Sequence, residues 1–180
     1  MLSCNIPLPQ YKKTFPKVQI PAKNTCAGPD IPVTDGTILT AHKATVDPVL
    51  DHAFSGCKQL TSVTIGAGVR RIRNNSFEGC RGLTDITIPD KATEIGNSAF
   101  DACWNLRDVT IGAQVTKIGQ YAFIKCEGLT RAVFKAPSGW TVESKEFTTP
   151  KSINQNDLED ASKAAEYLKN TYRDYTWQKQ

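Results

Sequence analysis

The chain has no apolar run near the roughly 18 residues that a membrane helix requires, so no membrane span is expected. It has no block of like charge either. Lys and Arg total 22 against 18 Asp and Glu, a net charge of +4, which argues against a polybasic tail and against an electrostatic wrapper of nucleic acid. Met1 to Gln10 holds Asn5 and two prolines but no hydrophobic segment, so no export signal is expected there. Histidine occurs only at His42 and His52. His-Glu-x-x-His, Cys-x-x-Cys, a phosphate-binding glycine loop and Gly-x-Ser-x-Gly are all missing, so the usual zinc, redox, nucleotide and serine-hydrolase readings lack their residues.

What the chain has is a repeat. Phe54, Phe77, Phe100 and Phe123 recur every 23 residues, as do Cys57, Cys80, Cys103 and Cys126, and Leu60, Leu83, Leu106 and Leu129. Further apolar columns keep the same phase: Val63, Ile86, Val109 and Ala132; Ile65, Ile88, Ile111 and Phe134; Val69, Ala92 and Val115; Ile72, Ile95 and Ile118. Each unit ends its Leu-x-x-Val-x-Ile spacing in alternation, the mark of a short strand with one buried face. Strands are therefore expected near 60–65, 83–88, 106–111 and 129–134. Gly66, Pro89 and Gly112 break them at one phase, and a second extended piece ends at Ile72, Ile95 and Ile118. Ser/Ala-Phe-x-x-Cys has the spacing of a single helical turn that carries Phe and Cys inward. A lone unit buries too little to offset its ordering entropy, so the units must stack into a β-rich solenoid.

The stretch Leu83 to Cys103 contains Leu83, Ile86, Ile88, Pro89, Ile95, Gly96, Ala99, Phe100 and Cys103, and it resembles the BspA-like class of leucine-rich repeats. The resemblance covers about Val46 to Phe134. Departures are local: Arg73 stands where Gly96 and Gly119 stand, Ser76 replaces an alanine, Ala92 replaces a valine, and Ala132 thins the last strand. The resemblance implies a non-enzymatic adhesion or ligand-binding module for a protein or glycan at a cell surface, with no cofactor. A second reading is a structural component of a larger assembly, such as a phage tail, fibre or capsid decoration, in which the terminal segments contact neighbouring subunits and a homo-oligomer forms.

The four column cysteines stack in a row with parallel side chains, which suits buried structural thiols better than zinc ligation or disulfides. Cys4 and Cys26 lie outside the column and could pair with each other. His52 precedes Cys57 by five residues, but Cys57 belongs to the core column, so a Cys–His nucleophile is not favoured. No catalytic residue, cofactor site or metal site is assigned.

Partner binding is expected on outward strand positions, where adjacent coils form one surface. Thr64, Thr87, Thr110 and Val133 make one such column, and Ser62, Asp85, Asp108 and Arg131 another. Arg71, Glu94 and Lys117 alternate in sign as a ladder of weak ion pairs. Arg70, Arg71 and Arg73 form the local basic cluster. Trp104 stands where Lys58, Arg81 and Glu127 stand in other units, an aromatic able to stack on a sugar or a protein. Residues 1–45 carry most of the prolines and read as an extended arm and N-terminal cap; 46–134 is the solenoid; 135–180 is a C-terminal cap or oligomerisation segment. Its helix is expected over about 157–173, capped by Asn156 or Asp157, with Leu158, Ala161, Ala165, Leu168 and Tyr172 in one stripe. The aromatic tail from Tyr167 to Trp177 resembles the ends of small repeat proteins of gut bacteria and their phages.

Overall fold

The computed structural model describes residues 48–144 and 149–180. The expected N-terminal arm, His42, and any pairing of Cys4 with Cys26 lie outside them. Among the described residues nine strands run in order: β1 Arg71–Ile72, β2 Asp85–Thr87, β3 Glu94–Ile95, β4 Asp108–Ile111, β5 Lys117–Ile118, β6 Arg131–Phe134, β7 Trp140–Glu143, β8 Lys151–Ser152 and β9 Thr176–Lys179. Two short helices, α1 Gln155–Glu159 and α2 Ala161–Glu166, lie between β8 and β9. The coils that carry β2 with β3 and β4 with β5 each contribute one strand to each of two sheets. β2, β4 and β6 form a parallel sheet, with Ile86 opposite Val109 and Val109 opposite Ala132. β1, β3 and β5 form the parallel part of the second, with Ile72, Ile95 and Ile118 in register. The 23-residue period thus returns the chain to the same position one strand further on.

The first expected strand, near 60–65, is reduced to a single bridge residue at Thr64.

The third side of each coil differs from expectation. Ser/Ala-Phe-x-x-Cys is a turn rather than a helical turn, bracketed by residues of left-handed backbone. His52, Asn75, Ser98 and Tyr121 occupy one such column at φ 57°, 56°, 52° and 60°. Gly56, Gly79, Ala102 and Lys125 occupy another at φ 75°, 69°, 56° and 58°. Reversing the chain twice aims the intervening amides along the stack. Asn75, Phe77 and Gly79 N–H donate to the carbonyls of Asn97, Ala99 and Asp101 at 3.0, 2.8 and 2.7 Å, and the next coil repeats the pattern. A helical turn would have pointed these donors along its own axis, away from the neighbouring coil.

The interior holds the apolar columns. Phe54, Phe77, Phe100 and Phe123 stack with ring centroids 5.0, 5.2 and 5.2 Å apart and planes within 7°. Such pairs contribute about 0.5–1.5 kcal/mol each beyond their burial. Gly96 is one point where successive coils approach closely: a Cβ there would lie 2.6 Å from the Arg73 carbonyl carbon, so no side chain fits.

Past β6 the solenoid path ends. β9 runs antiparallel beside β5, placing Ile118 opposite Trp177, and its other edge pairs with β7, which in turn pairs with β8. Trp140 and Trp177 are buried and meet Phe134 at 5.5 and 5.9 Å. The helix expected over 157–173 is broken. Asn154, not Asn156 or Asp157, caps α1, and Asp160 ends α1 and caps α2 by accepting from the Ser162 and Lys163 amides at 3.0 and 3.1 Å. A π-helical turn, Tyr167–Thr171, follows. The break lets Leu158, Ala164, Ala165 and Leu168 be buried together, whereas Ala161 is only half-buried. α2 packs on β6, Lys169 Nζ donates to the Leu129 carbonyl at 2.8 Å, and the Tyr121 amide donates to the Arg173 carbonyl at 2.6 Å.

Candidate functional site

Alternation along β2, β4 and β6 buries Ile86, Val109 and Ala132 and turns their neighbours outward. Two registered columns result. Asp85 lies opposite Asp108 and Asp108 opposite Arg131; Thr87 lies opposite Thr110 and Thr110 opposite Val133. Asp85 and Thr87 are exposed, Asp108 and Thr110 half-exposed, and Thr64 extends the second column at an exposed position. The Arg131 guanidinium sits 3.6 Å from Asp108, and the Thr84 hydroxyl donates to Asp85 at 2.9 Å. Neighbouring strands lie about 4.8 Å apart, so the face is a grid of hydroxyl donor–acceptors beside carboxylate acceptors at strand spacing. That grid can hydrogen-bond a peptide backbone or sugar hydroxyls.

The remaining sequence candidates lie elsewhere. Arg71 belongs to β1 in the second sheet, opposite Glu94, whose carboxylate in turn meets Lys117 Nζ at 3.0 Å. Arg73 is 3.7 Å from Asp51, and Arg70 is exposed just before β1. The basic cluster and the Thr/Asp columns therefore occupy different sheets. Trp104 is 42% exposed in the turn before β4, with the Arg81 guanidinium 3.9 Å from its ring centroid. One face of the indole is thus covered by a cation rather than open for stacking.

The cysteine column needs one correction. Cys80, Cys103 and Cys126 are free and buried, and their thiols donate to the carbonyls of Phe54, Phe77 and Phe100 at 3.0, 3.1 and 3.1 Å. Burial pushes Cys80 and Cys126 up to about 12 and Cys103 well above its ordinary value. Cys57, expected to be a fourth thiol, is disulfide-bonded, which removes it as a nucleophile for His52. His52 lies instead 3.9 Å from Glu78. The parallel-row argument holds between coils but says nothing of a sulfur outside the row.

Two features escaped the sequence reading. Asp51, Asn74 and Asn97 form a side-chain ladder in which each Oδ1 accepts the amide one coil on, from Asn74, Asn97 and Gln120 at 2.9, 2.8 and 2.9 Å. The signal was there as another 23-residue column of polar residues. Asp101 has a carboxylate oxygen without a hydrogen-bond partner, 3.6 Å from Lys125 Nζ, and its burial raises its pKa. Among the described residues no group of three or more His, Cys, Asp or Glu could hold a metal ion, and no helix is long and apolar enough to cross a membrane.

Residues 43–164 match the model of the BspA type leucine rich repeat region, in 6 copies. The match runs past Phe134 through β7, β8 and α1 into α2. No curated protein matches the chain. Among solved structures, a leucine rich cell surface protein of Faecalibacterium prausnitzii aligns at 30% identity over 49% of this chain and 23% of its own, with a TM-score of 0.47. A leucine rich repeat protein of T. pallidum aligns at 36% identity over 45% of this chain and 38% of its own, TM-score 0.44. One from Bacteroides ovatus aligns at 25% identity over 51% and 30%, TM-score 0.38. The chain thus spans well under half the length of each.

Proposed function

Because the chain belongs to the BspA-type leucine-rich-repeat family, we propose that it is a non-enzymatic binding or adhesion module. It presents the outward face of β2, β4 and β6 to a protein or glycan at a cell surface. The observation that carries this reading is the registered, solvent-facing grid of Asp85, Thr87, Asp108 and Thr110. Rigid strands hold these groups at fixed spacing, so a ligand can be bound without ordering the protein first. The disulfide at Cys57 supports an oxidising, surface-exposed setting, where such bonds persist. Trp104 and Arg81 form a rim contact beside that face, and Arg70, Arg71 and Arg73 a separate one.

The test is binding of the labelled chain to a glycan array and to intact cells. Replacing Asp85 and Thr87 together by arginine should cut binding at least tenfold while leaving melting unchanged, since both side chains point to solvent. Undiminished binding by that variant, or loss of binding only on changing Arg70 and Arg73 to glutamate, would overturn the assignment of the face. A defined oligomer that buries the face, seen by light scattering, would favour an assembly component instead.

A further inference from the structure

One edge of the solenoid brings cations, an indole and an amide onto adjacent coils. At the turn before β4, Trp104 interrupts a charged column, with Lys58 and Arg81 on the coils before it and Glu127 on the coil after. The Arg81 guanidinium lies over the indole, 3.9 Å from its centroid, yet Trp104 stays 42% exposed. Other surface cations, such as Arg131 and Lys135, meet carboxylates instead, Asp108 and Asp90 at 3.6 and 2.9 Å. A guanidinium held against a ring keeps its N–H donors on its own edge, in a planar fork that matches a carboxylate. Asn105 comes next and is exposed, between Gly82 and Gly128 at the same position on the adjacent coils. Neither glycine admits a side chain, since a Cβ would lie 2.8 Å from the carbonyl oxygen of Lys58 or of Trp104, so the surface dips on both sides of Asn105. Arg107, also exposed, ends the strip. Bonds between coils fix its course: the Gly128 amide donates to the Trp104 carbonyl at 2.9 Å, and the Arg107 amide to the Thr84 carbonyl at 2.8 Å.

We propose that Arg81, Trp104, Asn105 and Arg107 form a subsite for a carboxylate-bearing sugar, a uronate within an acidic polysaccharide. The two guanidinium groups take the carboxylate as charge-assisted donors, the Asn105 amide pairs with a hydroxyl as donor or acceptor, and the exposed part of the indole packs on the C–H face of the sugar ring. Glu127 repels an anion from the far end of the column and so directs the carboxylate toward Arg81. An acidic peptide would bring its carboxylates on flexible stems, with no rigid ring for the indole. A nucleic acid would need a longer run of cations than this strip offers. The inference rests on the reading of the chain as a binding module, and it names the class of ligand at the rim of the proposed face.

The probes are oligosaccharides of alginate, hyaluronan and polygalacturonate, each beside its carboxyl-reduced form, added to the full chain. Trp140 and Trp177 are buried, so acrylamide quenches the fluorescence of Trp104 in preference to theirs. At least one uronate should protect Trp104, and its carboxyl-reduced form should bind at least tenfold more weakly. Arg81→Gln and Arg107→Gln should each weaken uronate binding about tenfold with melting unchanged, because both side chains are exposed. Arg81→Lys should lose about threefold, since an ammonium keeps the charge but not the fork. Dextran sulfate binding as tightly as the uronate, or Arg81→Lys binding as well as the parent chain, would reduce the strip to unspecific charge and overturn the proposal. Neutral glycans or cells bound without any of the three uronates would overturn it and leave the β2–β4–β6 face standing, whereas a chain that binds no glycan and no cell would overturn both. Uronate binding that survives the change of Asp85 and Thr87 to arginine but not Arg81→Gln would uphold the subsite and refute the face.

Discussion

At the scale of single residues, the two left-handed columns are where the sequence and the backbone disagree most. A side chain in this region brings its Cβ against the following carbonyl and costs about 1–2 kcal/mol, which glycine avoids. Gly56 and Gly79 comply, whereas Ala102 and Lys125 hold the same conformation with a Cβ. Nothing crowds a Cβ at Gly79, whose nearest neighbour would be 3.7 Å away, so the backbone term can be read cleanly. Gly79→Ala should therefore lose about 1 kcal/mol and Ala102→Gly gain up to about 1 kcal/mol, the gain reduced by glycine's greater chain entropy. Urea denaturation checks both, and equal signs for the two changes would refute the strain argument. The apolar columns were legible because burial selects residue type at fixed spacing. The left-handed positions were not, because His52, Ser98, Tyr121, Ala102 and Lys125 carry no common chemistry; their φ is imposed by the coil-to-coil amide bonds.

Among the elements, β9 shows where sequence reading stops. Thr176 to Lys179 alternates only briefly, and its pairing with β5 and β7 is fixed by tertiary contacts far away in sequence. Single-helix periodicity also misled over 157–173, since Asp160 serves both as the end of α1 and the cap of α2. We infer that this whole C-terminal part closes the array. Removing 176–180 would bare the Lys117–Ile118 edge and take Trp177 from Phe134 and Trp140. An uncovered edge beside exposed aromatics invites intermolecular pairing. The truncated chain should melt at least 10 °C lower and aggregate, as read by light scattering during a thermal scan; a monomer with unchanged melting would show that the strand closes nothing.

Taken as a whole molecule, the array spreads its buried thiols through successive coils, so their titration acts on the entire stack. In the unfolded chain thiols release protons near pH 9, the ordinary value from which the folded ones depart. The folded chain holds Cys80 and Cys126 protonated to about 12 because ionisation would place a charge in the core. Between those pH values the unfolded state binds fewer protons, so stability is intact below about 9 and falls as pH rises toward 12. Chemical denaturation as a function of pH should show this decline, and Cys126→Ala should flatten it. The solenoid was legible from one period, and so were the outward columns. What the period could not say was which outward side chains share a face, since Arg71 and Asp85 belong to different sheets only once the chain is wound. The uniform wiring between coils, the Asp51–Asn74–Asn97 ladder above all, has a genetic corollary. A unit copied in frame within the gene would find the same acceptor above it and the same donor below, so slippage during replication can lengthen or shorten this protein without any compensating change at either terminus.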